Sequence, residues 1–337
     1  MTLDSEPIAV DPAKMAPKLG KIYECASVEM ASLNSYLADE FSSSETFVHE
    51  LLTHIARFRG KQVRPLCLFL AARCFGPVNK DHIRCAAVTE LIHTATLVHD
   101  DLLDDSRMRR RVETVNERYG ERASILLGDF IYSRGFSIST EVEGVSKLLA
   151  DTTHNICEGE LIQVGSAGDI DLTQETYYRI IYCKTAILYG LACRLGAQLS
   201  GASAEEAETL EIFGDQLGLA FQIADDVLDL VGDEDRVGKS LGTDLEKGKM
   251  TLPLILLRDR LEGPRAAELR ALLEDGRSVG VHGRVVEMLE EERILDEVRI
   301  ISGDHIDRAL AALAGLPGSS SRNALEDLAR FVVDRDI

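Results

Sequence analysis

Two clusters of aspartate, His99-Asp100-Asp101-Leu102-Leu103-Asp104-Asp105 and Gln222-Ile223-Ala224-Asp225-Asp226-Val227-Leu228-Asp229, lie about 125 residues apart in this chain. Each sets carboxylates four residues apart inside an apolar helical pattern. Positions i and i+4 fall roughly 40° apart on one helical face. Like charges so placed destabilise a helix by a few tenths of a kcal/mol per pair, and burying them costs far more. A cation between them is the remedy. A small number of hard oxygen ligands suits Mg²⁺, which keeps waters and fills its shell with substrate phosphates. Two such faces can hold a diphosphate between them.

Basic residues answer the carboxylates. Arg107-Met108-Arg109-Arg110-Arg111 follows the first cluster. It reads either as a solvated turn or as a diphosphate clamp, since Arg bonds phosphate oxygens in pairs. In Arg59-Gly60-Lys61-Gln62-Val63-Arg64-Pro65, Lys61 and Arg64 fall one turn apart at an expected helix start, where backbone amides also favour an anion. His93 lies two turns before the aspartates, on their side of the helix, and reads as a ligand contact or a core histidine. Lys184-Thr185 interrupts an apolar run, where a lysine needs an anionic partner. Lys239 stands in Gly238-Lys239-Ser240-Leu241-Gly242 and Lys249 in Gly248-Lys249-Met250-Thr251-Leu252-Pro253. A lone Gly-Lys pair is common by chance, so it is the joint occurrence that carries weight.

The elements that must position these groups are helical throughout. Leu33, Tyr36, Leu37 and Phe41 keep a helical period, and Ser42-Ser43-Ser44 is expected to cap the next helix. Pro65 opens a helix that stops at Gly76-Pro77, and Asp81 caps one running into the first aspartate cluster. Apolar spacing resumes at Ala123 after a polar connection, Arg107 to Arg118. Further helices are expected at about 144–165, 173–200, 204–231, 251–262, 284–296 and 323–335, whereas strand signals are almost absent. Residues 1–16 read as a flexible segment and 17–337 as a single all-α domain with a core large enough to enclose a cavity.

Composition sets outer limits. The chain has 337 residues and a formal charge of −20, which argues against non-specific nucleic-acid binding. Its seven cysteines are scattered without a CxxC pair, which favours a reducing, cytoplasmic setting over a disulfide framework. The N-terminus has no apolar signal core. No uncharged apolar run reaches the length of a membrane span.

These residues resemble the trans-polyprenyl diphosphate synthase family, the long-chain isoprenyl diphosphate synthases. The shared run comprises GKxxRP (Gly60 to Pro65), the first DDxxD with its Arg pair, Gly128-Asp129-Phe130, Lys184-Thr185-Ala186, the second DDxxD and GKxTLP (Gly248 to Pro253). Order and spacing agree from about residue 20 onward, and the closing Ala324 to Arg335 looks like the family's last helix. The resemblance implies an isoprenoid synthase-type helical bundle around a deep central cavity, usually a homodimer. It further implies head-to-tail coupling of an allylic diphosphate, such as farnesyl diphosphate, to successive isopentenyl diphosphates. By resemblance Asp100 and Asp104, supported by Asp101, hold Mg²⁺, and Asp225 completes the set with help from Asp226 and Asp229. Arg109, Lys184, Thr185, Gln222, Lys239 and Lys249 would contact the allylic diphosphate. Lys61, Arg64, His93 and Arg110 would hold isopentenyl diphosphate. Ala95 and Thr96 occupy the chain-length floor, where short-chain relatives carry aromatics, so hexaprenyl or longer products are expected.

Two departures from the pattern stand out. Arg111 replaces the glycine that usually follows the Arg pair, and Arg59 the first glycine of the usual GGK. Three other readings compete: a geranylgeranyl or shorter-chain synthase, a subunit of a hetero-oligomeric synthase, and a class I terpene cyclase. The cyclase would pair one DDxxD with an Asn/Ser/Glu triad, and the second DDxxD counts against it.

Overall fold

The computed structural model describes residues 17–58, 60–232, 241–276, 278 and 280–333. The expectation for residues 1–16, like those for Arg59 and Lys239, lies outside them. In chain order come α1 (Pro17–Glu24), α2 (Ser27–Glu40), α3 (Thr46–Ile55), α4 (Val63–Arg73) and α5 (Lys80–Leu103). Strands β1 (Met108–Arg109) and β2 (Val112–Glu113) then lead into α6 (Val115–Tyr119), α7 (Glu121–Ser139) and α8 (Val145–Gly165). Next, α9 (Gln174–Ile181) runs through a π-helical turn, Tyr182–Ala186, into α10 (Ile187–Leu199), and α11 (Ala204–Val231) follows. The chain continues with α12 (Thr243–Glu246), α13 (Leu252–Arg260), α14 (Gly263–Asp275), α15 (Val281–Glu291), α16 (Ile294–Leu313) and α17 (Ser320–Val333). The fold is all-α, and among the described residues β1 and β2 form the sole sheet.

The chain packs as two compact units. One takes the described residues up to Thr153 together with Tyr189–Glu211 and Gly315–Leu328. Its axis is α5, which packs against α2, α4 and α7. Cys85, Ala86, Ala87, Val88, Ile92, Ala95 and Val98 of α5 are fully buried. Small side chains there let neighbouring helices approach closely. Asn79 starts α5 by accepting hydrogen bonds from the Asp81 and His82 amides at 2.9 and 3.3 Å, while His82 Nδ1 returns a contact to the Asn79 amide. The helix ends in a Schellman motif. The Ser106 and Asp105 amides donate to the Asp101 and Leu102 carbonyls at 2.8 and 3.2 Å, with Asp105 left-handed at φ 51°.

The second unit takes His154–Leu188, Ile212–Ala314 and the described residues from Ala329 onward. α13 is central here, packing against α9, α14, α15 and α16. Leu252, Leu254, Ile255 and Leu257 on α13 join Ile223 and Val227 of α11, and Val285, Met288 and Leu289 of α15, in one core. Each such side chain contributes roughly 1.5–3 kcal/mol on burial. Arg258 ties the α8–α9 connection to this core by donating to the Ile170 and Leu172 carbonyls at 2.7 and 2.8 Å. The stretch Gln174–Leu199 is long and apolar enough to cross a membrane, but its most apolar part is mostly buried inside the protein.

Several helix boundaries differ from the sequence expectation. Asn79 caps α5 where Asp81 was expected, because the Asn carbonyl reaches two amides and Asp81 already lies in the first turn. The serine run stops short of α3, whose N-cap is Glu45; Ser43 Oγ instead accepts from the Glu45 amide at 3.1 Å. Helix α4 begins at Val63, so Lys61 precedes it and only Arg64 lies in its first turn. One helix was expected over 284–296, but the chain there breaks at Glu292–Arg293 between α15 and α16, with Arg293 left-handed at φ 56°. Apolar spacing continues across that break through Leu289 and Ile294, which hides it. α14 follows its own Gly263-Pro264 start and was not anticipated.

The Arg107 to Arg118 connection holds a built hairpin ahead of α6. Arg109 pairs with Val112, so Arg110 and Arg111 form its two-residue loop, with φ 51° and 66°. Both central residues of such a turn need positive φ, which favours glycine at the second. A left-handed L-residue costs roughly 1–2 kcal/mol, and glycine's greater freedom in the unfolded chain cancels about half of that. Arg111→Gly is therefore expected to raise stability by up to ~1 kcal/mol in urea titration. A loss of stability would mean that the Arg111 side chain makes contacts that outweigh the strain.

Candidate functional site

Both aspartate clusters occupy the last turns of long helices, α5 and α11. Unsatisfied carbonyls make that end negative, so the helix dipole adds to the mutual repulsion of the carboxylates. In the first unit Asp101 is 2% exposed and Arg109 answers it. The Arg109 Nε–H donates to Oδ1 and Oδ2 at 3.0 and 2.9 Å, and Nη2 lies 2.9 Å from Oδ1. Burial raises the Asp101 pKa and Arg109 opposes that rise, while Asp100 and Asp104 push it further up. Asp100 and Asp104 keep part of their surface open to solvent. The segment after α5 is held by Thr114 Oγ1–H and Asn116 Nδ2–H, which donate to the Ser106 carbonyl at 2.6 and 3.2 Å.

A basic cluster stands beside this helix end in the same unit. His93 lies within electrostatic reach of Arg64, Arg110 and Arg109. Burial first, then those three guanidiniums, hold it well below the usual histidine range, so the imidazole is neutral at physiological pH. Arg64 stacks over the Tyr189 ring, with Cζ 4.4 Å from the centroid. The Arg110 guanidinium donates to the Phe58 carbonyl and packs on Gly60, where a Cβ would sit 2.4 Å from Nη2. Gly60 is thus a residue that no side chain could replace without moving Arg110. Burial and the Arg109 charge lower the Arg110 pKa, and nearby Glu90, itself buried, opposes them. Tyr23 donates to the Lys61 carbonyl. Gln62, left-handed at φ 51°, is buried, and neither of its amide atoms finds a hydrogen-bond partner; the same holds for Arg64 Nε. Buried orphan groups of this sort cost about 1–3 kcal/mol each, and an anionic ligand would satisfy the two donors, Gln62 Nε2–H and Arg64 Nε–H.

In the second unit the π-turn after α9 carries Lys184 and Thr185. Such turns add one residue to a helical turn and re-aim the side chains on it. Lys184 Nζ lies 2.6 Å from Glu160 Oε1. The Thr185 hydroxyl donates to Gln222 Oε1 at 2.8 Å, and Gln222 Nε2–H donates to Asp226 Oδ1 at 2.8 Å. The Tyr177 hydroxyl completes the chain on Asp226 Oδ2 at 2.6 Å. Asp229 is also committed: its carboxylate accepts from the Thr243 hydroxyl at 2.7 Å and the Asp244 amide at 3.0 Å. Its carbonyl accepts from the Gly242 amide at 2.6 Å. Lys249 Nζ lies 3.6 Å from Asp244 Oδ1. Asp226 and Asp229 are 4% and 1% exposed, whereas Asp225 keeps part of its surface open to solvent.

The six aspartates of the two DDxxD motifs thus fall into two classes. Asp101, Asp226 and Asp229 are buried and bonded to protein partners. Asp100, Asp104 and Asp225 retain access to solvent. Among the described residues no three His, Cys, Asp or Glu side chains converge as a preformed metal cage. The donors are carboxylate oxygens, which fit a hard cation that takes one or two protein ligands and completes its shell with phosphates. Within the first unit the structure gathers Arg64, His93, Arg109 and Arg110, and within the second Thr185, Gln222 and Asp226. Sequence reasoning missed Tyr177, Glu160, Asp244 and Glu90. Of these only Asp244 carried a signal, standing at the start of a helical turn five residues before Lys249.

A family model for polyprenyl synthetase matches residues 45–289. The chain is 38% identical over 320 residues to the octaprenyl diphosphate synthase of Escherichia coli (strain K12), covering 94% of this chain and 99% of that one. It superposes with a TM-score of 0.88 on the crystal structure of a decaprenyl diphosphate synthase from Rhodobacter capsulatus, at 33% identity and 94% and 98% coverage. A polyprenyl synthase from Caulobacter crescentus CB15, crystallised with calcium and isoprenyl diphosphate, matches with a TM-score of 0.88, 36% identity and the same coverages.

Asp226 yields a pH-dependent prediction. Burial, then the charges of Asp244 and Asp225, lift its pKa from 3.8 to about 7, against the opposing bonds from Tyr177 and Gln222. The folded protein therefore binds this proton more tightly than the unfolded chain does. The resulting stability is complete below the ordinary aspartate value and is lost as pH rises through about 7. Asp226→Asn removes the buried charge, so it should raise the melting temperature at pH 8 and change it much less at pH 4. Equal shifts at both pH values would contradict the assignment.

Proposed function

The chain belongs to the polyprenyl synthetase family, and from that premise we propose that it is a trans-polyprenyl diphosphate synthase. It condenses an allylic diphosphate, such as farnesyl diphosphate, with successive isopentenyl diphosphates head to tail. The product is a long-chain all-trans polyprenyl diphosphate. One observation carries the reading. A carboxylate-bearing helix end and a cationic cluster with unmet hydrogen-bonding groups lie within one compact unit.

Lys61, Arg64, Arg110 and neutral His93 bind the diphosphate of isopentenyl diphosphate, with the orphaned Arg64 Nε–H as one available donor. Arg109, Lys184, Thr185, Gln222, Lys239 and Lys249 bind the allylic diphosphate. Asp100, Asp104 and Asp225 are the residues that would hold Mg²⁺, which when bound lowers the cost of the charge carried off by the departing diphosphate. Fixed cations aimed at that leaving group stabilise the developing charge without reorganising. The allylic C–O bond breaks with its electron pair on the diphosphate oxygen, and the isopentenyl double bond attacks the resulting cation when held close and aligned. A proton then leaves, and the released diphosphate accepts it.

Ala95 is fully buried, and Thr96 turns its hydroxyl back to the His93 carbonyl at 2.7 Å. Neither adds bulk one turn before the aspartates, which supports products of six or more isoprene units. The octaprenyl and decaprenyl synthases among its relatives support the same range. Ile125, Leu126 and Phe130 expose apolar surface along α7, which supports assembly as a homodimer. None of the seven cysteines is in a disulfide, in keeping with a cytoplasmic setting.

The test is incubation of the purified protein with labelled isopentenyl diphosphate, farnesyl diphosphate and Mg²⁺, followed by chromatography of the dephosphorylated products. Alcohols of six or more isoprene units are expected. Products of four units or fewer reject the long-chain reading, and no incorporation rejects the protein as a synthase by itself.

A further inference from the structure

The last turns of α5 are fastened to α7 through His99. Its Nε2–H donates to the Ile125 carbonyl at 3.2 Å, and the same nitrogen lies 3.7 Å from Asp129 Oδ1. The Tyr132 ring covers it, with centroids 5.9 Å apart and planes inclined at 31°. Beneath the imidazole is Gly128, in the interior of α7, where an added Cβ would stand 2.1 Å from Nε2 and 2.4 Å from Cδ2. One residue earlier on α5, the Val98 carbonyl accepts a hydrogen bond from the buried Ser124 hydroxyl at 3.1 Å. A single stretch of α7, Ser124 to Tyr132, thus grips two consecutive residues of α5 immediately before Asp100.

Glycine in a helix interior is unfavourable by about 1 kcal/mol relative to alanine, so its place here needs a reason. The imidazole in the notch supplies one. Apolar packing alone does not explain the imidazole, because His99 keeps 28% of its side-chain surface exposed and uses its nitrogen on a backbone carbonyl. We propose that His99 is a positioning residue for the metal-binding carboxylates and that Gly128 is the notch that seats it. Asp100 follows His99 directly and Asp104 lies one turn beyond. A helix free to rotate by 10–20° would carry both out of coordinating geometry. Clamping the ring from four sides on α7 sets that rotation. Removing the clamp leaves the carboxylates present but misdirected. The inference rests on Asp100 and Asp104 being metal ligands.

The experiment measures Mn²⁺ binding to the full-length protein by electron paramagnetic resonance, in the presence of farnesyl thiolodiphosphate as a slowly ionising allylic analogue. His99→Ala and Gly128→Ala should each weaken Mn²⁺ binding about tenfold, the scale of lost outer-shell support. His99→Gln, whose amide N–H can reach the same carbonyl, should recover most of that loss. The double variant should be no worse than the weaker single one, because both act through one contact. Isopentenyl diphosphate affinity should stay within about twofold of the parent, since neither residue faces that cluster. If Gly128→Ala does not fold, as judged by circular dichroism, His99→Ala decides alone. Parental Mn²⁺ affinity in His99→Ala overturns the proposal. Asp100→Ala is the control: if it binds Mn²⁺ as the parent does, the metal assignment fails instead.

Discussion

Carboxylates gathered at the C-terminal end of a helix face two repulsions at once, from one another and from the helix dipole. That constraint recurs at the ends of α5 and α11, and much of the surrounding structure answers it. On α5 the answer is Arg109, bonded through two nitrogens to the buried Asp101. On α11, among the described residues, Tyr177, Gln222, Thr243 and the Asp244 amide supply the donors. Burial, then the charges of Asp244 and Asp225, push Asp226 up to about 7 against the hydrogen bonds from Tyr177 and Gln222.

From this follows a division of labour among residues of one type. A carboxylate saturated by protein donors fixes its neighbours in place. One left with solvent access can exchange water for an ion or a phosphate-bound ion. Asp101 orients Arg109, which then presents its guanidinium with a settled geometry. Asp226 orients Gln222, and through Gln222 the Thr185 hydroxyl. Asp229 folds Gly242 to Asp244 against the end of α11, and Asp244 in turn pairs with Lys249. Asp101, Asp226 and Asp229 therefore each lead to a basic or polar group proposed to bind diphosphate. In the cluster proposed to hold isopentenyl diphosphate the logic is reversed. Burial, then three guanidiniums, keep a histidine neutral, and the unmet donors await an anion.

Much of this was legible in the residues. Spacing alone gave the aspartate faces, and the long helices at 145–165 and 204–231 fell within a residue of expectation. A lysine in an apolar run was expected to need an anion, and Glu160 is there. What escaped were features with no local mark. Tyr177 meets Asp226 from 49 residues away, a contact set by packing and not by spacing. The break at Glu292–Arg293 has neither glycine nor proline to announce it. The hairpin after α5 places arginines where glycine is favoured, so its turn chemistry was concealed. Likewise Asn79 prevailed over Asp81 as cap through a two-residue difference in where the first amides point.

The account stands on the claim that partly open and buried aspartates do different work. Equilibrium binding of farnesyl thiolodiphosphate with Mg²⁺, measured by calorimetry beside thermal melting, separates them. Asp100→Asn and Asp225→Asn should lose about a hundredfold or more in Mg²⁺-dependent affinity while melting as the parent does. Asp101→Asn and Asp229→Asn should lower the melting temperature by several degrees with a smaller loss of affinity. The opposite ranking, with the buried pair controlling affinity and the open pair controlling stability, would contradict it.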